Sequence, residues 1–112
     1  MDDCIFCKIV KGEIPAVKVF ESDNIIAFND INPKAKVHIL IVPKKHIESV
    51  KHLEAIDGNL ISELFFSAQK IAKEKNLEGY KLVINVGREG GQLIDHLHLH
   101  LLSGDVPDAL NV

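Results

Sequence analysis

The sequence lacks tryptophan, has little tyrosine, methionine and cysteine, and contains no long apolar run. Its two cysteines are too few for the disulfide framework of a small secreted domain. No apolar run exceeds four residues, as at residues 39–42, whereas a helix that crosses a bilayer needs about 20. The sequence therefore predicts neither a disulfide scaffold nor a membrane protein.

The charge balance gives no support for nucleic-acid binding. Asp and Glu number 16 against 13 Lys and Arg, for a net charge of -3. The composition, 46% apolar and 26% charged over 112 residues, is that of one ordinary globular domain. The acidic start does not resemble a secretory signal. We therefore expect residues 1–112 to form a single cytoplasmic domain without a nucleic-acid or membrane partner.

Apolar spacing predicts an α+β fold on a mostly antiparallel sheet. Apolar residues recur at intervals of three and four along residues 59–76, which predicts one long amphipathic helix. A short helix at residues 4–10 ends before Gly12, and strands are predicted at residues 17–21, 25–28, 37–42, 80–86 and 95–102. Helices and strands do not alternate regularly, so a parallel βαβ arrangement is disfavoured.

The most informative segment alternates histidine and leucine over residues 96–101. Successive side chains of a strand point to opposite faces, so one face carries three imidazoles. Three interpretations are open: solvated or core histidines, His-x-His metal ligands, or phosphoryl transfer with an imidazole nucleophile.

The preceding glycine-rich segment, residues 87–92, favours a phosphate ligand. Gly87, Gly90 and Gly91 would let backbone N–H groups approach an anion, and Asn85 and Gln92 would add amide donors. No cluster of acidic residues that would hold Mg²⁺ lies close in the sequence. Phosphate chemistry is therefore favoured over a hydrolytic metal centre.

Residues 96–102 resemble the signature of the histidine-triad (HIT) family, in which histidines alternate with apolar residues. Residues 5–9, 13–15, 27–33, 38–46 and 85–92 are similar to other segments of the family. Within the family, the chain resembles the Hint-like branch of nucleoside phosphoramidate hydrolases.

The resemblance implies a homodimer whose two five-stranded antiparallel sheets join into one, with a purine nucleotide as substrate. It implies hydrolysis of a P–N bond at the α-phosphorus through a nucleotidyl-histidine, with no organic cofactor. The leaving amine needs a proton, from the bound phosphate or from a neighbouring histidine. Two alternatives stay open: hydrolysis of dinucleoside polyphosphates or nucleotidyl transfer, and a nucleotide-binding dimer without catalysis.

Residue roles follow from the resemblance by position. His98 is the implied nucleophile, His100 contacts phosphate oxygens or the bridging atom, and His38 sits beside His98 and orients it. The other implied nucleotide contacts are Phe28 and Ile31 at the base, Asp30 at the ribose, and Asn85, Gly91 and Gln92 at the phosphate.

The sequence also departs from the Hint-like pattern. Leu93 stands where that branch has a serine that contacts the phosphate or leaving group, and Asp95 places a carboxylate before the triad. Residues 103–107 replace a Gly-Gly-Arg segment that continues to a tryptophan. Of the properties that the resemblance implies, the preference for a leaving group is therefore the one it supports least.

The Cys4-x-x-Cys7 pair has several interpretations. A thioredoxin-like role lacks its βαβ context, while two reduced cysteines on a packed turn need no further partner. Zinc needs two more ligands. The family resemblance supplies them and implies a structural zinc ion on Cys4, Cys7, His46 and His96.

Overall fold

The computed structural model describes residues 3–112, which form a five-stranded antiparallel sheet with helices on both faces. The spatial order of the strands is β1-β2-β3-β5-β4. The elements are α1 (Ile5–Val10), β1 (Lys18–Glu21), β2 (Ile25–Asn29), β3 (Val37–Pro43), α2 (Gly58–Glu74), β4 (Lys81–Val83) and β5 (Leu99–Ser103). The predicted α+β class is confirmed, with one long helix and one short N-terminal helix.

The last two strands are shorter than predicted. Strand β4 covers only Lys81–Val83, and β5 begins at Leu99 rather than at residue 95. The main chain before β5 is bonded elsewhere, because the N–H of His96 donates to the carbonyl of Ile94 and that of Leu97 to Ile47. Residues 96 and 98 therefore lie in the connection that leads into the strand.

Long helix α2 covers one face of the sheet. Leu99 and Leu101 point to this face, as the alternation predicted, and pack with α2. The cluster, called here the helix-side core, comprises Ile25, Ala27, Ile39, Ile41, Leu64, Ala68, Ile71, Leu99 and Leu101. The histidines point to the opposite face.

Short helix α1 covers that opposite face. Its Phe6 and Ile9 pack on Phe28 of β2 and Leu40 of β3. Gly12 has φ +77°, a conformation that glycine adopts without strain, and lies just after the helix as predicted. The histidine side of the sheet is thus a covered layer. Within residues 3–112, no helix is long and apolar enough to span a membrane.

Candidate functional site

The triad histidines form a buried wall beneath α1. His96, His98 and His100 are 0%, 7% and 5% exposed. The ring of Phe6 meets His98 edge-on, with centroids 5.2 Å apart. A solvated strand face is therefore excluded for these three side chains.

His98 has one nitrogen fixed by the backbone and one directed outward. Its Nδ1 lies 2.7 Å from the carbonyl oxygen of His96, so Nδ1 carries the hydrogen and Nε2 the lone pair. Of the buried side-chain N and O atoms in the described chain, only His100 Nε2 lacks a partner. His98 Nε2 has no protein partner either, but it is not one of these buried atoms. It therefore retains contact with solvent and can reach a ligand.

His38 lies beside His100, not beside His98 as the resemblance implied. Its Nε2 is 3.0 Å from His100 Nδ1. The backbone N–H of Lys34 donates to His38 Nδ1 at 3.0 Å, so the hydrogen of neutral His38 is on Nε2 and points at His100. The difference arises from β3–β5 pairing, because Leu40 stands opposite His100 and His38 is two residues away on the same face.

This chain of hydrogen bonds assigns the hydrogen of His100. Since Nδ1 accepts from His38, the hydrogen of neutral His100 is on Nε2. That atom is buried. Among residues 3–112, it is the one buried side-chain nitrogen or oxygen without a hydrogen-bond partner. A buried donor without an acceptor is costly, and a ligand oxygen or nitrogen is the acceptor it lacks.

Burial keeps these imidazoles neutral. Burial, together with the neighbouring His98 and His38, lowers the pKa of His100 to about 4. Burial also lowers the pKa of His38 and of His98, while the carboxylate of Asp30 opposes both shifts. At neutral pH the site therefore offers a lone pair on neutral His98 and an N–H donor on neutral His100.

The predicted base and ribose residues differ in accessibility. Asp30 Oδ2 is 3.5 Å from His38 Nε2, and the side chain of Asp30 is 20% exposed. Ile31 is 89% exposed, whereas Phe28 is 3% exposed and packs its ring against Phe6. Ile31 is thus the apolar side chain of this pair that a base can reach.

The glycine-rich loop uses its own N–H groups. Gly90 N–H donates to Gly87, Gly91 N–H to Arg88, and Gln92 N–H to Gly87, while Gly87 N–H donates to Gln92 Oε1. The N–H groups of Gly91 and Gln92, which the resemblance assigned to phosphate, are thus engaged in hydrogen bonds within the turn. Hydrogen bonds within the loop already occupy these N–H donors.

Gln92 is a structural residue. Its side-chain amide donates to the carbonyls of Glu48 and Ile94, which leaves no amide hydrogen for a ligand. Sequence reasoning could not separate the two roles, because a buried and a ligand-facing glutamine look alike in one sequence.

Asn85 lies two residues beyond β4 and is near the loop. Its Nδ2 donates to the main-chain oxygen of Val112 at 2.7 Å. A Cβ at Gly91, whose φ is +88°, would be 3.9 Å from Asn85 Cγ. A phosphate bound by Asn85 must share or replace the contact with Val112.

The two departures near the triad lie at the surface. Leu93 is 81% exposed. Asp95 pairs with Arg88 through two contacts of 2.8 and 3.1 Å, so its carboxylate joins the loop to the segment before the triad.

The four predicted zinc residues lie together, and we call them the cysteine–histidine cluster: Cys4, Cys7, His46 and His96. Cys4 Sγ and Cys7 Sγ are 3.3 and 3.6 Å from His96 Nδ1, and Cys7 Sγ is 3.2 Å from His46 Nδ1. A tetrahedral zinc ion on sulfur and nitrogen separates its ligand atoms by about 3.5 Å. The residues therefore fit zinc.

His96 is prepared for such a role by the backbone. Its Nε2 donates to the carbonyl of Pro43 at 2.8 Å, which leaves the lone pair on Nδ1, facing the cysteines. Burial lowers the pKa of His96 to about 4, so the ring is neutral. The sequence could not predict the contacts of the Pro43 carbonyl with His96 or of the Lys34 N–H with His38, because every residue has a backbone carbonyl and every residue but proline a backbone N–H.

Comparisons with known proteins identify relatives over almost the whole chain. Residues 3–110 match the family model described as "Scavenger mRNA decapping enzyme C-term binding". The chain is 42% identical to Protein HitA of Neisseria gonorrhoeae over 107 residues, which are 95% of this chain and 100% of HitA.

Solved structures are similar as well. A histidine triad protein from Clostridium difficile has a TM-score of 0.92 and 44% identity, with 98% of each chain covered. A HIT family hydrolase from Legionella pneumophila has a TM-score of 0.89 and 49% identity, covering 91% of this chain and 93% of its own. This protein has the fold of a histidine-triad protein. The chain belongs to the HIT family, which confirms the family that its sequence resembled.

Proposed function

We propose that this chain hydrolyses purine nucleoside 5′-phosphoramidates through a nucleotidyl-histidine intermediate on His98. The observation that carries the proposal is the pairing of an accessible lone pair on His98 Nε2 with the unpartnered hydrogen on His100 Nε2. A nucleophile beside a preorganised donor is what phosphoryl transfer requires. The hydrolase named in the solved Legionella relative supports the reaction class.

In the first step, His98 Nε2 forms a bond to the α-phosphorus and the P–N bond breaks. The amine leaves with the bonding electrons and with a proton brought in by the protonated phosphoramidate. We assign this proton to the substrate because His100, whose pKa is lowered to about 4 in the ligand-free protein, is neutral at pH 7. Its Nε2–H instead donates to a phosphate oxygen.

The intermediate carries a positive charge on the His98 ring. The carbonyl of His96, which accepts the hydrogen of His98 Nδ1, stabilises that charge. In the second step, water attacks phosphorus, Nε2 regains its electron pair, and the nucleoside monophosphate leaves with the proton of the water released to solvent. Asp30 binds the ribose hydroxyls, Ile31 contacts the base, and Asn85 binds a phosphate oxygen.

The test is turnover of adenosine phosphoramidate, with diadenosine polyphosphate and guanosine phosphoramidate assayed in parallel. His98→Ala should reduce the rate at least about 10³-fold, because the covalent step is lost. His52→Ala, at an exposed histidine outside the site, is the matched control and should retain the wild-type rate.

Each other result has a definite meaning. Equal rates for His98→Ala and wild type would remove the nucleophile. Preferred cleavage of the polyphosphate would replace the proposed substrate with the alternative one. Tight binding of AMP without turnover of any of these compounds would identify a nucleotide-binding protein without catalysis.

We also propose that the cysteine–histidine cluster holds a structural zinc ion. When bound, the ion would be held by Cys4, Cys7, His46 and His96, and its charge would favour the thiolate form of both cysteines. We place the chain in the cytoplasm, where reducing conditions keep the two thiols available. Metal analysis of protein purified without added zinc should give about one equivalent per chain.

A homodimer through β4 is the third part of the proposal. Strand β4 is an edge of the sheet, and an unpaired edge can add a second copy. Tyr80 and Leu82, on or beside β4, are exposed apolar side chains, and α2 exposes Phe65 and Phe66. Antiparallel pairing of two β4 strands would give a ten-stranded sheet.

Light scattering tests the dimer. We expect twice the chain mass for wild type and a monomer for Leu82→Glu, because a buried carboxylate opposes the pairing. Val17→Glu, beside the opposite edge strand, is the control and should stay dimeric. A wild-type monomer, or a dimeric Leu82→Glu variant, would contradict the interface.

A further inference from the structure

The cysteine–histidine cluster and the nucleophile share a residue. His96 contributes Nδ1 to the cluster and, through its main-chain carbonyl, accepts the hydrogen of His98 Nδ1 at 2.7 Å. His96 lies before β5, so the pairing of β5 with its neighbours does not fix this carbonyl, and its peptide unit is held instead by the Leu97 N–H, which donates to Ile47. The cysteines that contact the His96 side chain are therefore a second influence, beside this backbone bond, on the position of the acceptor for His98.

A second connection runs through α1. Cys4 is the N-cap of this helix and Cys7 lies within it, so two cluster residues flank Phe6. The Phe6 ring contacts His98 at 5.2 Å and His96 at 5.8 Å between centroids, edge-on at 77° and 73°. Such a contact favours one orientation of the imidazole plane.

Helix α1 depends on tertiary contacts for its position. It has six residues, far below the length of about 12 at which an isolated helix becomes marginally stable. The cluster joins α1 to His46 and His96 on the other side of the site. Without that connection, the apolar packing of Phe6 and Ile9 is what remains to place the helix.

We propose that the cysteine–histidine cluster, loaded with metal, positions the nucleophile. Its four residues fix the His96 carbonyl and the Phe6 ring, and these two groups hold His98 with its hydrogen on Nδ1 and its lone pair toward the nucleotide. His96 and Phe6 are thus positioning residues that act through His98. The inference rests on the proposed function for its kinetic readout, and its spectroscopic readout is independent of that function.

The experiment compares zinc-loaded wild type with Cys4→Ser and Phe6→Leu by the ¹⁵N chemical shifts of the His98 ring. In wild type, we expect one protonated and one unprotonated nitrogen. In Cys4→Ser, the two shifts should converge as the tautomers exchange. Single-turnover formation of the nucleotidyl-histidine should slow about tenfold, while the Kd for AMP changes less than about twofold. Phe6→Leu keeps an apolar side chain without the ring and should change both readouts in the same direction, by less.

Ile71→Val is the matched control. Ile71 belongs to the helix-side core, across the sheet from the histidines, so this variant should lower the Tm without changing the His98 shifts or the rate. If Cys4→Ser behaves as Ile71→Val does, the cluster is only structural and the inference is wrong. If wild type turns over no phosphoramidate but the His98 shifts still respond to Cys4→Ser, the proposed function fails and the positioning role stands.

Discussion

Within residues 3–112, two clusters of side chains that could hold a metal ion each contain two histidines, and the two clusters differ in chemistry. In the cysteine–histidine cluster and in the cluster of Asp30, His38 and His100, the candidate ligand atoms lie within 4.8 Å of one another. In the first, His96 donates from Nε2 to the Pro43 carbonyl and presents a lone pair to the cysteines. In the second, the Lys34 N–H occupies the lone pair of His38 Nδ1, and a hydrogen points into the cluster.

The comparison teaches that one backbone group decides what an imidazole offers. When a backbone carbonyl accepts from one ring nitrogen, the other nitrogen presents a lone pair that can bind a metal. When a backbone N–H donates to one ring nitrogen, the other nitrogen carries the hydrogen and is a hydrogen-bond donor. Zinc is therefore expected in the first cluster. In the second cluster, His38 donates a hydrogen bond to His100, and the Nε2–H of His100 is left for a ligand.

The largest expected effect is on stability when the metal is removed. Zinc at 1,000 times its Kd should raise the free energy of unfolding by about 4 kcal/mol, because it binds the folded chain alone. Urea denaturation with zinc and with a chelator measures this difference. In Cys7→Ser, zinc should have little effect. Equal stabilisation of both proteins by zinc would place the metal elsewhere.

Substitution of His100 should affect activity rather than metal content. His100→Leu removes the donor to the phosphate, and the rate should fall about 10²–10³-fold. Zinc content should stay at the wild-type value, since His100 is not in the cysteine–histidine cluster. Steady-state kinetics and metal analysis of the same preparation test this separation, and a loss of zinc in His100→Leu would show that the two clusters are not independent.

A smaller effect is expected on the pH dependence of stability, and it comes from the cluster of Asp30, His38 and His100. The pKa of His100 is about 4 in the folded protein and about 6.5 when unfolded, so only the unfolded chain binds this proton between these values. Stability should therefore decrease as pH falls from about 6.5 to 4. In His100→Gln the decrease should be smaller by on the order of 1 kcal/mol.

Denaturation at several pH values tests the His100 contribution. His52→Gln, at an exposed histidine, is the control and should show the wild-type dependence. If His100→Gln also showed it, burial of His100 would not be the origin of the effect.

The smallest expected effect is at the surface ion pair beside the loop. Asp95→Asn removes the pairing with Arg88, and the free energy of unfolding should fall by less than about 1 kcal/mol, with a smaller loss at high salt. Thermal unfolding at two salt concentrations measures it. Asp105→Asn, which removes another exposed pair, is the comparison. A loss as large as that for zinc removal would show that the loop, not the cluster, holds the triad segment.

Much of the fold could be predicted from the sequence, because it depends on local periodicity. Spacing of three and four residues located α2, and alternation assigned Leu99 and Leu101 to the core. Strand ends were predicted less well. The chain before β5 bonds to Ile47, which is 50 residues away from Leu97, and no local pattern indicates such a partner.

The candidate site divides in the same way. The resemblance identified which side chains to examine, and the structure brings Cys4, Cys7, His46 and His96 together. The resemblance could not indicate that the Gln92 amide donates both hydrogens to the carbonyls of Glu48 and Ile94. Nor could it indicate that His38 pairs with His100. Both facts depend on tertiary neighbours.

The sequence by itself determined the types of chemical group in this protein and their order: alternating imidazoles and leucines, a Cys-x-x-Cys pair, and the helix that covers one face. Only the tertiary structure decided where each hydrogen lies. Side-chain identity fixes what a group can donate or accept, but a neutral imidazole has two tautomers. The backbone atom that folding places behind each ring selects between them.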